Sequence, residues 1–545
     1  VEKIRQIFDE TNKNGTYEIR IAAKNNPLID EKVLGNMDDG VDLYVEYLQS
    51  GVAQKINLDL IKQIKDKIVI ENVGGSAYRT LSRVLNKLGI SDKFTWFNIE
   101  EDPFFHSIGK YDHTPKGEKA FYDYSVDATV TAKRQNGEKF FPVIETLHYE
   151  EKLTKMPVGT AVLITDPDHD RLTIAQTEYA CTIPELEKAG IDYIRLNEDL
   201  ILTIFTANQA FLMLMDFWAK QLKSQGLWDK HPRFMIKTTA SAISWDEWAK
   251  KQGVKVVNVP VGFKEIANIM KKVELKLKNT PQNEVIIDDV LGNSINLGVN
   301  PRLLFGGEES GGMIMGTEEL IKSEAGRFAI AMREKSATEA IIVASALISK
   351  LQRKQVSLSE YLTEIFDENN IIGRFDTRVD IAYYNESEPD INKLKEDKAA
   401  GEAKRTKNDL FYLSMAIAVK EGKMTIENVK EVLNNTFKSL NFDNLVSIKF
   451  VGDGTYLEFT DKYIEIRPSG TDAKTKAYGG GSNKAVIETY ANVLGNYSGD
   501  LNDFHKKYVS EELYKSTKDE AMKYYLNFVD KDANNEPFVI PDYKF

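Results

Sequence analysis

Between residues 161 and 175 the chain reads AVLITDPDHDRLTIA, which sets carboxylates at Asp166, Asp168 and Asp170 and a guanidinium at Arg171. Mostly apolar residues lead in and a half-alternating run leads out, so the acids fall on a loop leaving the end of a buried strand. Alternate side chains of an extended loop can converge on one ion, and hard carboxylate oxygens suit Mg²⁺, Mn²⁺ or Ca²⁺. An EF-hand does not fit, because Arg171 stands where the loop needs Gly, Thr177 where it needs Glu, and a strand-like run precedes it. A solvated Asp-rich turn is the plain alternative. His169 within this loop reads as a solvent-pointing ring.

Two other stretches offer chemistry. In YIEIRPSGTDAKTKAY, residues 463 to 478, a strand ends at Arg467 and another restarts near Lys474. Between them an Arg fork, hydroxyls and a glycine without Cβ make the parts of a phosphate cradle, or else a simple Pro-Ser-Gly turn. In LFGGEESGGMIMG, residues 304 to 316, two glycine pairs surround Glu308, Glu309 and Ser310. Such groups can exchange hydrogen bonds with vicinal sugar hydroxyls, although the same residues also suit a flexible surface turn.

These loops need elements to position them. At 545 residues the chain predicts three or four domains on a prior of ~150 residues each. A hydrophobic share of 42% with 28% charged residues is that of an ordinary globular protein, which excludes wholesale disorder. No apolar run reaches the ~20 residues of a membrane span and no secretory signal opens the chain, so a cytoplasmic protein without a membrane partner is expected. The net charge of −12 argues against a nucleic-acid partner. The lone Cys181 excludes an internal disulfide framework and multi-cysteine zinc sites, and reads as a small buried hydrophobe.

Strand DKIVIEN, Gly74-Gly75 and helix YRTLSRVLNKLGI in that order suggest a βαβ unit and a parallel sheet. A second α/β round runs from about Leu200, with helix FLMLMDFWAKQL, strand RFMIKTTA, a helix around Trp245 to Gln252, and strand VKVVNVPV before GFKEI. From about Ile371 a charge-rich helix or linker, INKLKEDKAAGEAKRTKNDL, reads as a solvated face with no substrate role. Strands LVSIKFV, TYLEFT and YIEIRP and helix NKAVIETYANVLG then suggest an α+β domain, followed by a Tyr- and Lys-rich helical tail. The expected division is a remnant or linker over 1–40, α/β domains over 41–197 and 198–370, an α+β domain over 371–496, and the tail over 497–545.

The ordered series of Asp-triad loop, VGFKEI, GGEESGG and RPSGT resembles the α-D-phosphohexomutase superfamily, the phosphoglucomutases and phosphomannomutases, over roughly residues 41 to 495. Lesser echoes stand at DPFF and FTANQ. The resemblance implies consecutive α/β domains of that type and an α+β C-terminal domain. It implies Asp166, Asp168 and Asp170 as Mg²⁺ ligands, Arg171 as the cation beside the transferring phosphoryl group, and Glu308 and Ser310 as readers of sugar hydroxyls. Arg467, Ser469, Gly470 and Thr471 would cradle the phosphate that is not transferred, with Lys264 near the substrate. The implied reaction moves a phosphoryl group between C1 and C6 of a hexose phosphate, through a phosphoserine and a hexose bisphosphate.

The sequence also departs from the family. The family's TASHNP-like serine loop precedes the Asp triad, whereas this chain has no Ser-His dipeptide, and its nearest match, TTASAIS around Ser241, follows the triad. Asp472-Ala473 replaces Glu-Pro after RPSGT, and REKSATEA stands near the place of Lys-Asp-Gly. The expectation is a mutase chain whose serine-bearing domain is cut off, processed off or carried by a separate polypeptide. The alternative is a noncatalytic sugar-phosphate-binding or assembly protein of the same fold.

Overall fold

The computed structural model describes residues 23, 26, 37–108, 128, 131–133, 139–322, 328–385, 388, 390–470 and 473–529. Residues 1–46 and 47–545 form two compact units. The described part of the first is chiefly the start of the helix Met37–Ser50, so the remnant or linker expected over 1–40 lies almost wholly outside the described residues.

In the second unit, β1 (Ile68–Glu71) is buried along its whole length, as a strand covered on both faces should be. It runs through Gly74 and Gly75 into α1 (Ala77–Lys87). Gly75 has to be glycine, because a Cβ there would come within 2.5 Å of the Pro167 carbonyl oxygen. The Ser76 amide donates to that same oxygen at 2.9 Å, which ties this turn to the Asp loop. With β2 (Phe94–Phe97), β3 (Ala161–Thr165), β4 (Leu172–Tyr179), β5 (Asp192–Arg195) and β6 (Leu200–Phe205), the first sheet has the order β2-β1-β3-β4-β6-β5.

This sheet is mixed. β2, β1 and β3 are parallel, but β3 to β4, β4 to β6 and β6 to β5 are antiparallel. The expected parallel arrangement ends at the Asp loop because residues 166–171 are too few for a crossover, which takes a dozen or more. The expected division at 197 falls in the β5-β6 connection, so the sheet carries through to Phe205.

The second layer opens with α2 (Ala207–Ser224), whose Thr206 and Gln209 form a capping box within the FTANQ echo. β7 (Arg233–Thr238), α3 (Ile243–Gln252), β8 (Lys255–Val259), α4 (Phe263–Asn279), β9 (Arg302–Gly307) and β10 (Met313–Met315) follow. The order is β8-β7-β9-β10, parallel except for β10. α5 (Ala337–Lys354) and α2 are buried on nearly every side and touch both sheets, so they form the shared interior. There Asp216 satisfies its carboxylate by accepting from Trp248 Nε1 at 3.0 Å and Tyr361 OH at 2.6 Å.

The third sheet is antiparallel throughout: β11 (Phe375–Ala382), β12 (Leu445–Phe450), β13 (Thr455–Phe459), β14 (Lys462–Pro468) and β15 (Lys474–Gly481), in the order β11-β15-β14-β13-β12. α6 (Ile391–Lys420) packs its second half, Phe411 to Ala418, into the core beneath it. α7 (Lys484–Gly495) lies on the same sheet, and the tail helix α8 (Glu511–Phe528) packs along α6. The other face of the sheet meets the second layer, where the Tyr463 hydroxyl donates to Ala240 O at 2.7 Å. The end of α8 also reaches that layer: Tyr525 OH donates to Glu265 at 2.5 Å and Lys272 Nζ to Phe528 O at 2.6 Å. The chain is thus a multi-sheet α/β protein with an antiparallel α+β part at its end. Among the described residues no helix is long and apolar enough to cross a membrane.

Cys181 departs from expectation. It is exposed, because it sits in the short turn Ala180–Thr182 between β4 and the next helix rather than on a core-facing strand.

Candidate functional site

The Asp loop leaves the buried end of β3 and turns back at once into β4, so its side chains are held by strand pairing on both sides. Carboxylate oxygens of Asp166, Asp168 and Asp170 lie within 4.8 Å of one another. Asp166 Oδ1 accepts the Asp170 and Arg171 amides at 3.0 Å each, leaving Oδ2 toward its neighbours. Asp170 Oδ1 is buried without a hydrogen-bond donor. Burial first, and then the charges of Asp170 and Asp168, push the Asp166 carboxyl well above the usual carboxylate range. Three mutually repelling hard oxygen donors, one with an unused buried oxygen, fit a divalent cation.

Arg171 is the internal counter-charge, with Nε 3.6 Å from Asp166 Oδ2 and 3.5 Å from Asp170 Oδ1. Its backbone bridges to Gly312, and the Leu172 amide donates to Gly311 O at 3.1 Å. Asp loop and GGEESGG loop are therefore stitched edge to edge. Gly311 permits this with φ 101°, since an added Cβ would meet Arg171 Cβ at 3.3 Å. Glu308 is 4% exposed at the end of β9 and closes the loop by donating its amide to Gly312 O at 3.0 Å. Ser310 stands half-buried at the loop's turn.

One residue here carried no site reading in the sequence. Lys335 Nζ lies 3.1 Å from Asp170 Oδ2 and 3.3 Å from Glu308 Oε1, joining the two loops through one ammonium. Burial opposes its charge, but Glu308 and Asp170 more than offset this and raise its pKa. Its only sequence signal is its place in REKSATEA, where the family motif is altered. Glu309 accepts from Thr238 Oγ1 at 2.9 Å, and burial, then the Glu308 charge, raises its pKa.

His169 does not point to solvent. Its Nε2 sits 2.9 Å from Thr338 Oγ1 at the start of α5, on a backbone with φ 62°. Burial lowers the ring's pKa to about 4, so it is neutral at pH 7 and adds no charge beside the acids. The left-handed backbone turns the ring inward.

The RPSGT residues are held by other partners. Arg467 ends β14 half-buried, with Nε donating to the Asp453 carboxylate; burial opposes its charge, but Asp453 holds it firmly protonated. Lys476 is its direct cross-strand partner. Ser469 is 8% exposed, Gly470 is exposed, and Thr471 lies outside the described residues. Lys264, in the first turn of α4, is largely exposed, with Nζ 3.6 Å from Glu265; its charge is felt by Asp453, on the Arg467 side. Ser241 is fully buried, its hydroxyl 2.8 Å from that of Thr238.

Residues 210–368 match the family described as phosphoglucomutase/phosphomannomutase, alpha/beta/alpha domain III. No curated protein matches the chain. Among solved structures, a phosphoglucomutase/phosphomannomutase family protein from Burkholderia thailandensis is 13% identical at a TM-score of 0.41, covering 83% of this chain and 62% of its own. The open form of parafusin, a phosphoglucomutase from Paramecium, is 12% identical at 0.43, covering 90% and 62%. The Aspergillus fumigatus N-acetylphosphoglucosamine mutase in complex with GlcNAc-6P and magnesium is 11% identical at 0.40, covering 81% and 68%. The chain spans less than two thirds of the length of the first two, and likeness this distant assigns no residue a role. The family match, however, covers α4, β9, the GGEESGG loop and Lys335, so over residues 210–368 the expected resemblance to the phosphohexomutase superfamily is borne out, while the Asp loop and RPSGT lie outside the match.

Proposed function

We propose that this chain holds the metal, sugar and phosphate loops of a phosphohexomutase, which moves a phosphoryl group between C1 and C6 of a hexose phosphate. The observation that carries the reading is the joining of the Asp loop to the GGEESGG loop through the Leu172 to Gly311 bond and the shared Lys335. Phosphoryl transfer is mostly positioning and charge stabilisation, so a cation site fused to a hydroxyl-reading loop is the apparatus it needs. In this reading Asp166, Asp168 and Asp170 hold Mg²⁺, which when bound supplies positive charge to phosphoryl oxygens. Arg171 and Lys335 orient and neutralise the same group from the protein side. Glu308 and Ser310 accept and donate hydrogen bonds to the sugar, and Lys264 approaches from α4. Arg467, Ser469, Gly470 and Thr471 bind the phosphate at the far end.

Replacing Arg467 by Ala tests this. Charge-assisted hydrogen bonds contribute roughly 1.5–3 kcal/mol each, so the variant should bind glucose 1-phosphate at least about tenfold more weakly in titration calorimetry. Any affinity for free glucose should be unchanged. Normal binding of the phosphosugar would remove Arg467 from the site.

A second reading, binding without turnover, draws on Ser241. Its hydroxyl is buried and shares its hydrogen bond with the Thr238 hydroxyl rather than with a basic side chain, so it lacks the neighbour that activates a phosphate carrier.

A further inference from the structure

The charge-rich first half of α6 reads in sequence as a solvated face, but Arg405 on it is half-buried and its Nη1 donates to the Ser469 carbonyl at 2.7 Å. The helix also comes close at Gly401, where an added Cβ would lie 3.1 Å from Tyr383 O and 3.3 Å from Ala473 Cβ. Meanwhile the Ser469 amide donates to Lys474 O at 2.8 Å. Both backbone groups of Ser469 are thus held, one from within the loop and one from α6.

A trans peptide unit is planar, and its C=O and N–H point in opposite directions. Fixing the Ser469 oxygen toward α6 therefore turns the Gly470 N–H away from the helix. Gly470 is exposed, and a Cβ built on it would meet nothing within 4 Å, so a ligand can approach this backbone closely.

We propose that Arg405 is a positioning residue of the phosphate loop, gripping the Ser469 carbonyl so that the Gly470 amide is aimed at the phosphate of a sugar phosphate. This rests on the reading of the phosphate loop given above and adds a residue from outside its motif. The contact that carries this role is a hydrogen bond to a neutral carbonyl, so Arg405 acts here by holding rather than by its charge.

Titration calorimetry on the full chain with glucose 1-phosphate and with inorganic phosphate, using the wild type and Arg405→Ala, Arg405→Lys and Arg405→Gln, separates these effects. Losing the grip should weaken Arg405→Ala binding of glucose 1-phosphate by about tenfold. Lys and Gln should each restore much of it, since either can donate to the carbonyl and only one is charged. Wild-type affinity in Arg405→Ala overturns the proposal, and so does rescue by Lys without rescue by Gln, which would make Arg405 a charge alone. If Arg405→Ala fails to fold, as judged by its melting curve, the comparison of Lys with Gln carries the test by the same criterion. A wild type that binds neither phosphate compound overturns the reading of the loop itself, and this proposal with it.

Discussion

Lys335 shows how one residue can serve two loops. Its ammonium sits between Asp170 and the buried Glu308, so it stabilises both acids and also occupies positive charge that a metal would otherwise contribute. Two substitutions should therefore move Mg²⁺ affinity in opposite directions. Lys335→Met removes a competing cation and should tighten Mg²⁺ binding, while leaving Glu308 without its counter-charge at a cost of about 1–3 kcal/mol in the metal-free protein. Asp168→Asn removes an exposed carboxylate of the proposed metal site; it should leave folding nearly unchanged and weaken Mg²⁺ by at least about tenfold, a loss known even for partners one layer out from a metal. Calorimetry with Mg²⁺ and a melting curve in chelator check both. Equal affinity in all three proteins would mean that the acids are a solvated turn.

Strand β14 carries two roles on one face. Tyr463, Glu465 and Arg467 alternate toward the second layer, and Glu465 is fully buried with both carboxylate oxygens unpartnered. The Thr239 hydroxyl stands by without closing a bond, and the charges facing Glu465 are those of Asp453, Arg467 and Glu309. Burial raises the Glu465 pKa to about 8, so between the ordinary glutamate range and that value the folded protein binds a proton that the unfolded chain has lost. Stability must therefore fall as pH rises through this window. Glu465→Gln should remove that part of the slope, melting about 2–4 °C above the wild type at pH 8 and close to it at pH 4.5. Glu339 and Asp376, both pushed up to about 7 by burial, should leave some slope behind in the variant. A parallel pH profile in the two proteins would show that Glu465 gains a partner in solution.

Across the whole molecule, three layers must meet for the loops to act together. The interior helices α2 and α5 join the first two sheets, and Tyr463, Tyr478 and Ala240 join the second layer to the third. The tail helix adds Tyr525 on Glu265, one residue from Lys264. Holding a substrate is not enough for mutase chemistry, which also needs a phosphoryl donor. With Mg²⁺ and glucose 1,6-bisphosphate supplied, this chain by itself should convert little or no glucose 1-phosphate to glucose 6-phosphate, and Ser241→Ala should change nothing. Robust turnover that is lost in Ser241→Ala would make that buried serine the carrier after all.

Residue type and spacing single out the Asp loop, the GGEESGG loop and RPSGT as candidates, because each is a short motif whose backbone geometry is encoded locally. The same local logic made the strands and helices around them legible, from the buried IVIE of β1 to the capping box of α2. The sheet's change from parallel to antiparallel was also implicit in the shortness of the Asp loop, although the βαβ pattern ahead of it pointed the other way. Tertiary structure alone decided the rest. Lys335 meets Asp170, Arg405 meets Ser469 and His169 turns in to Thr338 only because elements distant in sequence are packed together. A lysine in a loop or an arginine on a charged helix looks the same in sequence whether it faces water or a polar group of the protein, since what separates the two is burial and a partner supplied by another part of the chain.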